Sequence, residues 1–400
     1  MPGLLEGTRV LDLTTVLSGP FSSFQLSLFG ADVIKIEIPG TGDLAREMGE
    51  DPALAWISMG ASFLAQNAGK RSIAVDLKFE KGQEIFVRLL ESADVLVENM
   101  RPGVLGRLGF TWERIHEINP RLVYCAITGF GQEGPLADRP AYDQIVQGLA
   151  GMSDVTGTPN GEPTRIGFPL CDTIGGFAAA MAICAALVRR TRDDVGTFLD
   201  VSMLDTAITS MGWVVSDQLV TNRTAVRAGN HNATSSPSGT FQTGKGLLNI
   251  AANSQRQFES LCRVLGCVEL LGDPRFASRS DRKLNRDELT EALESVLQTR
   301  SAAEWEEELS AASVPVGRVL SIGDALSQPQ VIERQLIHDV VIDLPGHEKV
   351  SLVGSGVHVD SEALAPSMAP PLLGQHTNEI LLQLGYSPET IAELHDARVV

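Results

Sequence analysis

One carboxylate stands out in the chain. Arg165-Ile-Gly-Phe-Pro-Leu-Cys is loop-like, with Gly167 and Pro169, and Thr173-Ile-Gly-Gly-Phe-Ala-Ala-Ala-Met is helical and apolar. Asp172 falls between them, where a helix N-cap belongs. Capping alone accounts for most aspartates so placed. The same placement also suits chemistry. A carboxylate on an apolar loop at a helix N-terminus can stay ionised through the helix dipole and act as a covalent nucleophile. Gly175 and Gly176 weaken the helix that follows by roughly 1 kcal/mol each. They make sense where a ligand or another backbone approaches closely.

A second set of residues is basic. Between Gln66 and Arg107 seven bases (Lys70, Arg71, Lys78, Lys81, Arg88, Arg101, Arg107) meet six acids. The window is thus near neutral in a chain whose net charge is −18. Lys81 and Arg88 fit a solvated helix face. Arg101 and Arg107 flank a Pro-Gly turn just after the strand Asp94–Asn99. Open α/β sheets bind ligands at the carboxyl ends of their strands, and two guanidiniums there suit phosphate. A third segment, Ile36-Glu37 followed by Gly40-Thr-Gly-Asp-Leu-Ala-Arg46, is a glycine loop after a strand and taken alone is only a turn.

The elements that would position these residues follow from hydrophobic pattern. Val10–Val16, Asp32–Ile38, Ser72–Leu77, Asp94–Asn99 and Leu122–Thr128 read as strands; Phe21–Phe29, Glu80–Glu91 and Trp112–Asn119 read as helices. Apolar strands alternating with helices predict a mostly parallel sheet covered on both faces. From Tyr142 onward the pattern turns helical, with candidates at Tyr142–Met152, Asp172–Arg190 and Asp200–Val220. The polar stretch Thr221–Thr243 reads as a linker. It is followed by a strand at Leu247–Ala252, helices at Arg256–Leu265, Asn285–Gln298 and Ala302–Ala311, short strands at Val340–Leu344 and Lys349–Val353, and two terminal helices.

Composition narrows the function. The chain has 400 residues, 43% hydrophobic and 20% charged, an ordinary globular profile. A net charge of −18 disfavours nucleic acid and anionic membranes. The first 30 residues lack the charged and apolar regions of a secretory signal, and the longest apolar stretch, Phe177–Val188, is too short to span a bilayer. Five cysteines without a CxxC pair read as buried thiols, which predicts a cytoplasmic protein. Gly129-Phe-Gly-Gln-Glu-Gly fits GxGxxG, but Pro135 and Pro140 follow where a helix must open, so it reads as a turn. No GxxxxGK[ST], GxSxG, HExxH or His/Cys ligand cluster is present, so no metal site is expected.

Taken together, the chain resembles the family III CoA-transferases, the group that includes formyl-CoA:oxalate CoA-transferase and the α-methylacyl-CoA racemases. The matching stretches are Val10-Leu-Asp-Leu with Ser18-Gly-Pro, Gly30-Ala-Asp-Val-Ile-Lys-Ile-Glu, Gly42-Asp, Lys70-Arg-Ser-Ile, Val95-Leu-Val-Glu-Asn with Arg101-Pro-Gly, Gly129-Phe-Gly, Gly167 with Asp172, Asp200-Val-Ser-Met-Leu-Asp and Leu373-Gly-Gln-His-Thr. The resemblance implies an α/β fold: a Rossmann-like large domain built from both chain ends (1–220 and 326–400) around a linker and small domain (221–325), in an interlocked homodimer. It implies that Asp172 is the nucleophile of a CoA-transferase, with acyl-CoA and a small carboxylic or dicarboxylic acid as substrates and no tightly bound cofactor. Binding contacts to CoA are implied at Val16, Leu17, Val75 (through its backbone), Lys78, Asn99, Arg101, Arg107, Tyr142 and Asp143. Arg46, Arg165 and His231 are candidate partners for the acceptor carboxylate.

The family also holds racemases, which need an acid and a base on opposite faces of the α-carbon. A histidine thirty residues before the aspartate supplies one of them in that branch, and here Tyr142 stands in its place. A phenol titrates near ~10 and is a poor base at neutral pH. The transferase branch is therefore the expectation. Leu17, where some members have Gln, and Ser235-Ser-Pro-Ser-Gly, where the formyl-CoA enzyme has a glycine run, argue against assuming oxalate.

Overall fold

The structure is a computed structural model that describes residues 3–344 and 346–400. It divides into two compact units. One comprises residues 1–152, 165–223 and 330–400; the other comprises 153–164 and 224–329. The short segment 153–164, which the sequence pattern leaves in the large domain, groups with the second unit. Arg227 donates to Asp154 Oδ1 at 2.9 Å, and the Gly229 N–H to the Gly157 carbonyl at 2.9 Å.

The first unit is built on six parallel strands: β1 (Arg9–Leu13), β2 (Asp32–Glu37), β3 (Lys70–Ala74), β4 (Val95–Glu98), β5 (Val123–Thr128) and β6 (Thr197–Ser202). Their order is β3-β2-β1-β4-β5-β6, the doubly wound arrangement of Rossmann-type sheets. Both faces are covered. One carries Ile34, Ile73, Phe86, Leu96 and the C-terminal Ile380 and Leu394; the other carries Val10, Val97, Ile127, Ala179 and Ile183. Runs of Val, Ile and Leu are what such a doubly covered sheet requires.

Two local readings change, and a third, the turn at Gly129–Gly134, holds. Asp200–Val220 is not one helix. Thr197–Ser202 pairs with β5 as the sixth strand, and helices Met203–Ser210 and Trp213–Thr221 follow, broken at Gly212. The helix near Asp172 starts earlier, at Leu170, and runs 24 residues to Asp193. Its mean hydropathy of 1.8 over an 18-residue window would let it cross a membrane by length and composition. Small and polar residues between its apolar ones hide that length in the sequence. In the fold one face of it, with Cys171, Ala179, Ile183 and Leu187, packs into the core on one side of the sheet, while Phe177 and Met181 are exposed. Finally, Gly129–Gly134 is a loop, its Gln132 N–H held by Asp200 Oδ2 at 2.9 Å.

The second unit has its own core, around Phe241, Leu248, Phe258, Leu293 and Trp305. Its antiparallel sheet is β7 (Ser238–Gln242), β8 (Leu247–Ala251) and β9 (Val316–Arg318), in that order.

Candidate active site

Strand order in the first unit reverses between β1 and β4, and the carboxyl ends of strands at such a switch point are where open α/β sheets bind ligands. The loop leaving β1 is Thr14–Leu17; the loop leaving β4 is Asn99–Gly103. The two are clamped together. Asn99 Oδ1 accepts from the Thr15 N–H at 2.9 Å, and its Nδ2 donates to the Thr15 carbonyl at 2.8 Å. From the other side Asp43 Oδ1 accepts the Val16 N–H at 2.9 Å. Val16 sits at φ 68°, a left-handed conformation that costs a β-branched residue of order 1–3 kcal/mol. The two clamps hold it there. Asn99 thus shapes the loop from within. Leu17 is the N-cap residue of the helix Ser18–Leu28.

Behind this loop lies a buried ion network. The Lys70 ammonium donates to Asp12 Oδ2, Ser23 Oγ and Asn67 Oδ1, each at 2.8 Å, and to the Pro20 carbonyl at 2.9 Å. Lys35 reaches Asp43 Oδ2 and the Thr14 carbonyl, both at 2.9 Å. Burial alone would raise the Asp12 carboxyl, but Lys35 and Lys70 beside it hold it well below the usual carboxylate range. Burial pushes the Lys70 ammonium down to about 8, with Asp12 opposing. The network ties β1, β2 and β3 to the first turn of the helix after β1.

Arg46 belongs to this interior. It is fully buried, paired with Glu37 through Nε and Nη2 at 2.8 Å each. Its remaining donors go to the Ser58 and Pro371 carbonyls. That accounts for every N–H a guanidinium has. Arg46 is therefore a structural ion-pair residue, and the expectation that it binds an acceptor carboxylate is corrected.

Asp172 lies in the first turn of the helix Leu170–Asp193, two residues past the start rather than at the cap. The cap residue is Pro169, which offers no side-chain acceptor. Asp143 supplies one from outside: its Oδ1 accepts the Cys171 N–H at 2.7 Å and the Asp172 N–H at 3.3 Å. Its Oδ2 accepts from Gln147 Nε2 at 2.6 Å. The Asp143 side chain is buried and committed to the helix N-terminus, so the CoA contact expected of it is replaced by a capping role.

The electrostatic result is opposite to the dipole argument. Burial, then the neighbouring Asp143 charge, push the Asp172 carboxyl up to about 7, while a hydrogen bond from Ser18 opposes them. The backbone donors that could have stabilised an anion are already taken by Asp143. Gly176 explains how Ser18 comes so near. A Cβ there would lie 2.7 Å from the Ser18 carbonyl oxygen, so only glycine lets the two helices touch. Asp172 is one turn from Gly176, on the same helix face.

The remaining site residues are placed as follows. Lys78, Arg101 and Arg107 are exposed, and their side chains make no ion pair among the described residues. Arg107 Nη1 lies over Gly103, which has φ 74°. The Val75 side chain is in the core and its N–H donates to the Glu37 carbonyl at 2.8 Å. Tyr142 is exposed. Arg165 is exposed, next to the Ile166–Phe168 segment that leads into the Asp172 helix. His231 belongs to the second unit, where burial and then Arg286 lower its imidazole.

Sequence reasoning missed Ser18, the capping role of Asp143 and the buried ions. One signal for the ions was legible: Asp12, Lys35 and Lys70 interrupt strands of otherwise apolar residues, and charges in such strands must be paired.

The model of CoA-transferase family III matches residues 5–377. The chain belongs to that family. Succinyl-CoA:glutarate CoA-transferase of Homo sapiens is 34% identical over 99% of this family III chain and 90% of its own length. Acetyl-CoA:oxalate CoA-transferase of Acetobacter aceti is 41% identical over 86% of the chain and 88% of its own. A CAIB/BAIF family protein from Brucella suis, known from its crystal structure, is 33% identical, with a TM-score of 0.85 over 96% of this chain and all of that one. The protein is an enzyme of the CoA-transferase type, acting on acyl-CoA and carboxylate substrates.

Proposed function

We propose that this enzyme moves CoA from a short-chain acyl-CoA donor, such as succinyl-CoA or acetyl-CoA, to a small carboxylic or dicarboxylic acid through an aspartyl-CoA thioester on Asp172. The observation that carries the reading is the carboxyl itself: half-buried, in the first turn of Leu170–Asp193 and hydrogen-bonded by Ser18, with its affinity for protons raised to about 7. A carboxylate more basic than an ordinary substrate acid is a better nucleophile.

The steps balance without any proton donor. An Asp172 oxygen attacks the donor thioester carbonyl and the CoA thiolate leaves, giving a mixed anhydride. The thiolate attacks the aspartyl carbonyl of that anhydride and expels the donor acid as its carboxylate. The acceptor carboxylate then attacks the aspartyl thioester and releases the thiolate again. Attack of the thiolate on the acceptor carbonyl of the new anhydride returns Asp172 and yields the new acyl-CoA. A thioester is exchanged for a thioester. The site's tasks are to place the reactants and to keep water from the anhydride.

Arg101, Arg107 and Lys78 would take the phosphates of CoA, the Val75 backbone the adenine, and Val16, Leu17 and Asn99 would line the pantetheine or loop region. Arg165 and His231 are the candidates for the acceptor carboxylate. A homodimer accords with the apolar surface the first unit leaves open at Phe177, Met181, Trp213 and Leu219, which are 48–79% exposed. Its five free cysteines fit a reducing cytoplasm.

The experiment is a panel of small mono- and dicarboxylic acids offered with succinyl-CoA and acetyl-CoA, read by chromatography. Transfer of CoA to at least one acid is expected. Hydrolysis or binding of acyl-CoA without transfer to any acid would overturn the proposal in favour of an acyl-CoA-binding protein.

A further inference from the structure

Gln147 lies one turn after Asp143 on the helix Asp143–Leu149 and is wholly buried. Its amide is fully used. Nε2 donates to Asp143 Oδ2 at 2.6 Å and to the Phe168 carbonyl at 3.3 Å. Oε1 accepts the Ile166 N–H at 2.8 Å. That last bond fixes the orientation of the amide, since only the oxygen can meet an N–H. A single chain of hydrogen bonds therefore runs from the Ile166–Phe168 segment through Gln147 and Asp143 to the N–H groups of Cys171 and Asp172.

The alternative state of this cluster shows what Gln147 does. The groups acting on Asp172 are the Asp143 charge on the neighbouring helix and the Ser18 hydroxyl; the Cys171 thiol lies on its own helix. Without a donor on its Oδ2, Asp143 would hold a buried, unpaired carboxylate oxygen beside a second acid. Two such carboxyls relieve their repulsion by sharing one proton. A shared proton would occupy the lone pair with which Asp172 attacks. We infer that Gln147 is a positioning residue for the transfer reaction: it holds the Asp143 carboxylate on the helix N-terminus and so keeps it from pairing with Asp172. This rests on the reading of Asp172 as nucleophile.

The test compares the full-length protein with Gln147→Leu, Asp143→Asn and the swapped pair Asp143→Asn with Gln147→Glu. Gln147→Leu removes the donor. Asp143→Asn sets an NH2 group against the NH2 of Gln147. In the swap, the Asn oxygen still accepts the helix N–H groups, while its NH2 meets a carboxylate that also accepts from Ile166. Each single variant should lose about tenfold to a hundredfold in kcat with KM for acyl-CoA unchanged. The swap should recover part of that loss, since the Phe168 carbonyl then loses its donor. A residue that served only packing would lower thermal stability without this rescue.

A second readout needs no turnover. In a carboxyl 13C NMR titration, Asp172 of the wild type should titrate in one step near 7. In Gln147→Leu the Asp172 signal should no longer follow a single step near 7 but two separated steps, as coupling to a neighbouring acid requires. Unchanged kcat and titration in the single variants, or a swap no better than they are, would overturn the inference. If Gln147→Leu does not fold, Gln147→Met, which also lacks the donor, takes its place in both readouts. Retention of transfer by Asp172→Asn would instead sink the nucleophile reading, and the titration would still report whether Gln147 keeps the two acids apart.

Discussion

Asp12 and Asp172 are both aspartates withdrawn from water in the same unit, and their carboxyls are driven in opposite directions. Burial raises both. At Asp12 it is overcome by two lysines, and a bond from Lys70 completes the pairing. At Asp172 no cation acts among the described residues, and Asp143 adds its own negative charge. The first environment makes an inert anion that holds three strands and a loop together. The second makes a carboxyl poised between its two protonation states. The residue type is the same, so the difference lies in the partner, as it does between the buried, paired Arg46 and the exposed, unpaired Arg101.

Removing the partners should expose that contrast. Asp12→Ala leaves Lys35 and Lys70 buried without their shared carboxylate, and breaking such a pair costs about 3–5 kcal/mol. Urea unfolding should show a loss of that size; a loss under ~1 kcal/mol would mean the network is not structural.

The pH dependence should differ in sign. The Asp12 carboxyl is held low, so its contribution to stability is present above the ordinary carboxylate range and lost as pH falls below it. Asp172 is held high, so the folded protein binds its proton more tightly than the unfolded chain does. Its contribution is present in acid and lost as pH rises from near 3.8 through about 7. Asp172→Asn should therefore match the wild type near pH 4 and exceed it at pH 8, by on the order of 2 kcal/mol once partial exposure is discounted. Equal stabilities at pH 8 would show that the carboxyl is not strained.

The smallest effect concerns the exposed cations. Arg101→Ala and Arg107→Ala should each raise KM for acyl-CoA by roughly tenfold, less so at high salt, with kcat unchanged. A change confined to kcat would place them elsewhere in the reaction.

Much of this architecture is legible in the sequence where periodicity is strong. Five strands of the large sheet and the helices Glu80–Glu91 and Ala302–Ala311 fall where the apolar pattern puts them. Thr197–Ser202 is not legible, because it runs directly into the helix Met203–Ser210 and shares one apolar run with it. The candidate positions Asp172 and the Arg101 turn are legible, because local glycine, proline and strand signals frame them. The rest of the site is not. Asp143 meets the Asp172 N–H, with Gln147 bonded behind it, only because two helices pack start to start, and Arg46 pairs with Glu37 across a turn whose sequence looks like any glycine loop. Local pattern gives elements; long-range pairing of charges has to be seen in the fold.

The central claim is that Asp172 carries the CoA group. The direct measurement is to incubate the enzyme with donor acyl-CoA, quench with hydroxylamine or borohydride, and locate the modification by mass spectrometry. The account predicts an adduct on the peptide containing Asp172, absent from Asp172→Ala, which should also lose transfer while keeping its fold. Turnover without an adduct at Asp172, or an adduct on another residue, would contradict it.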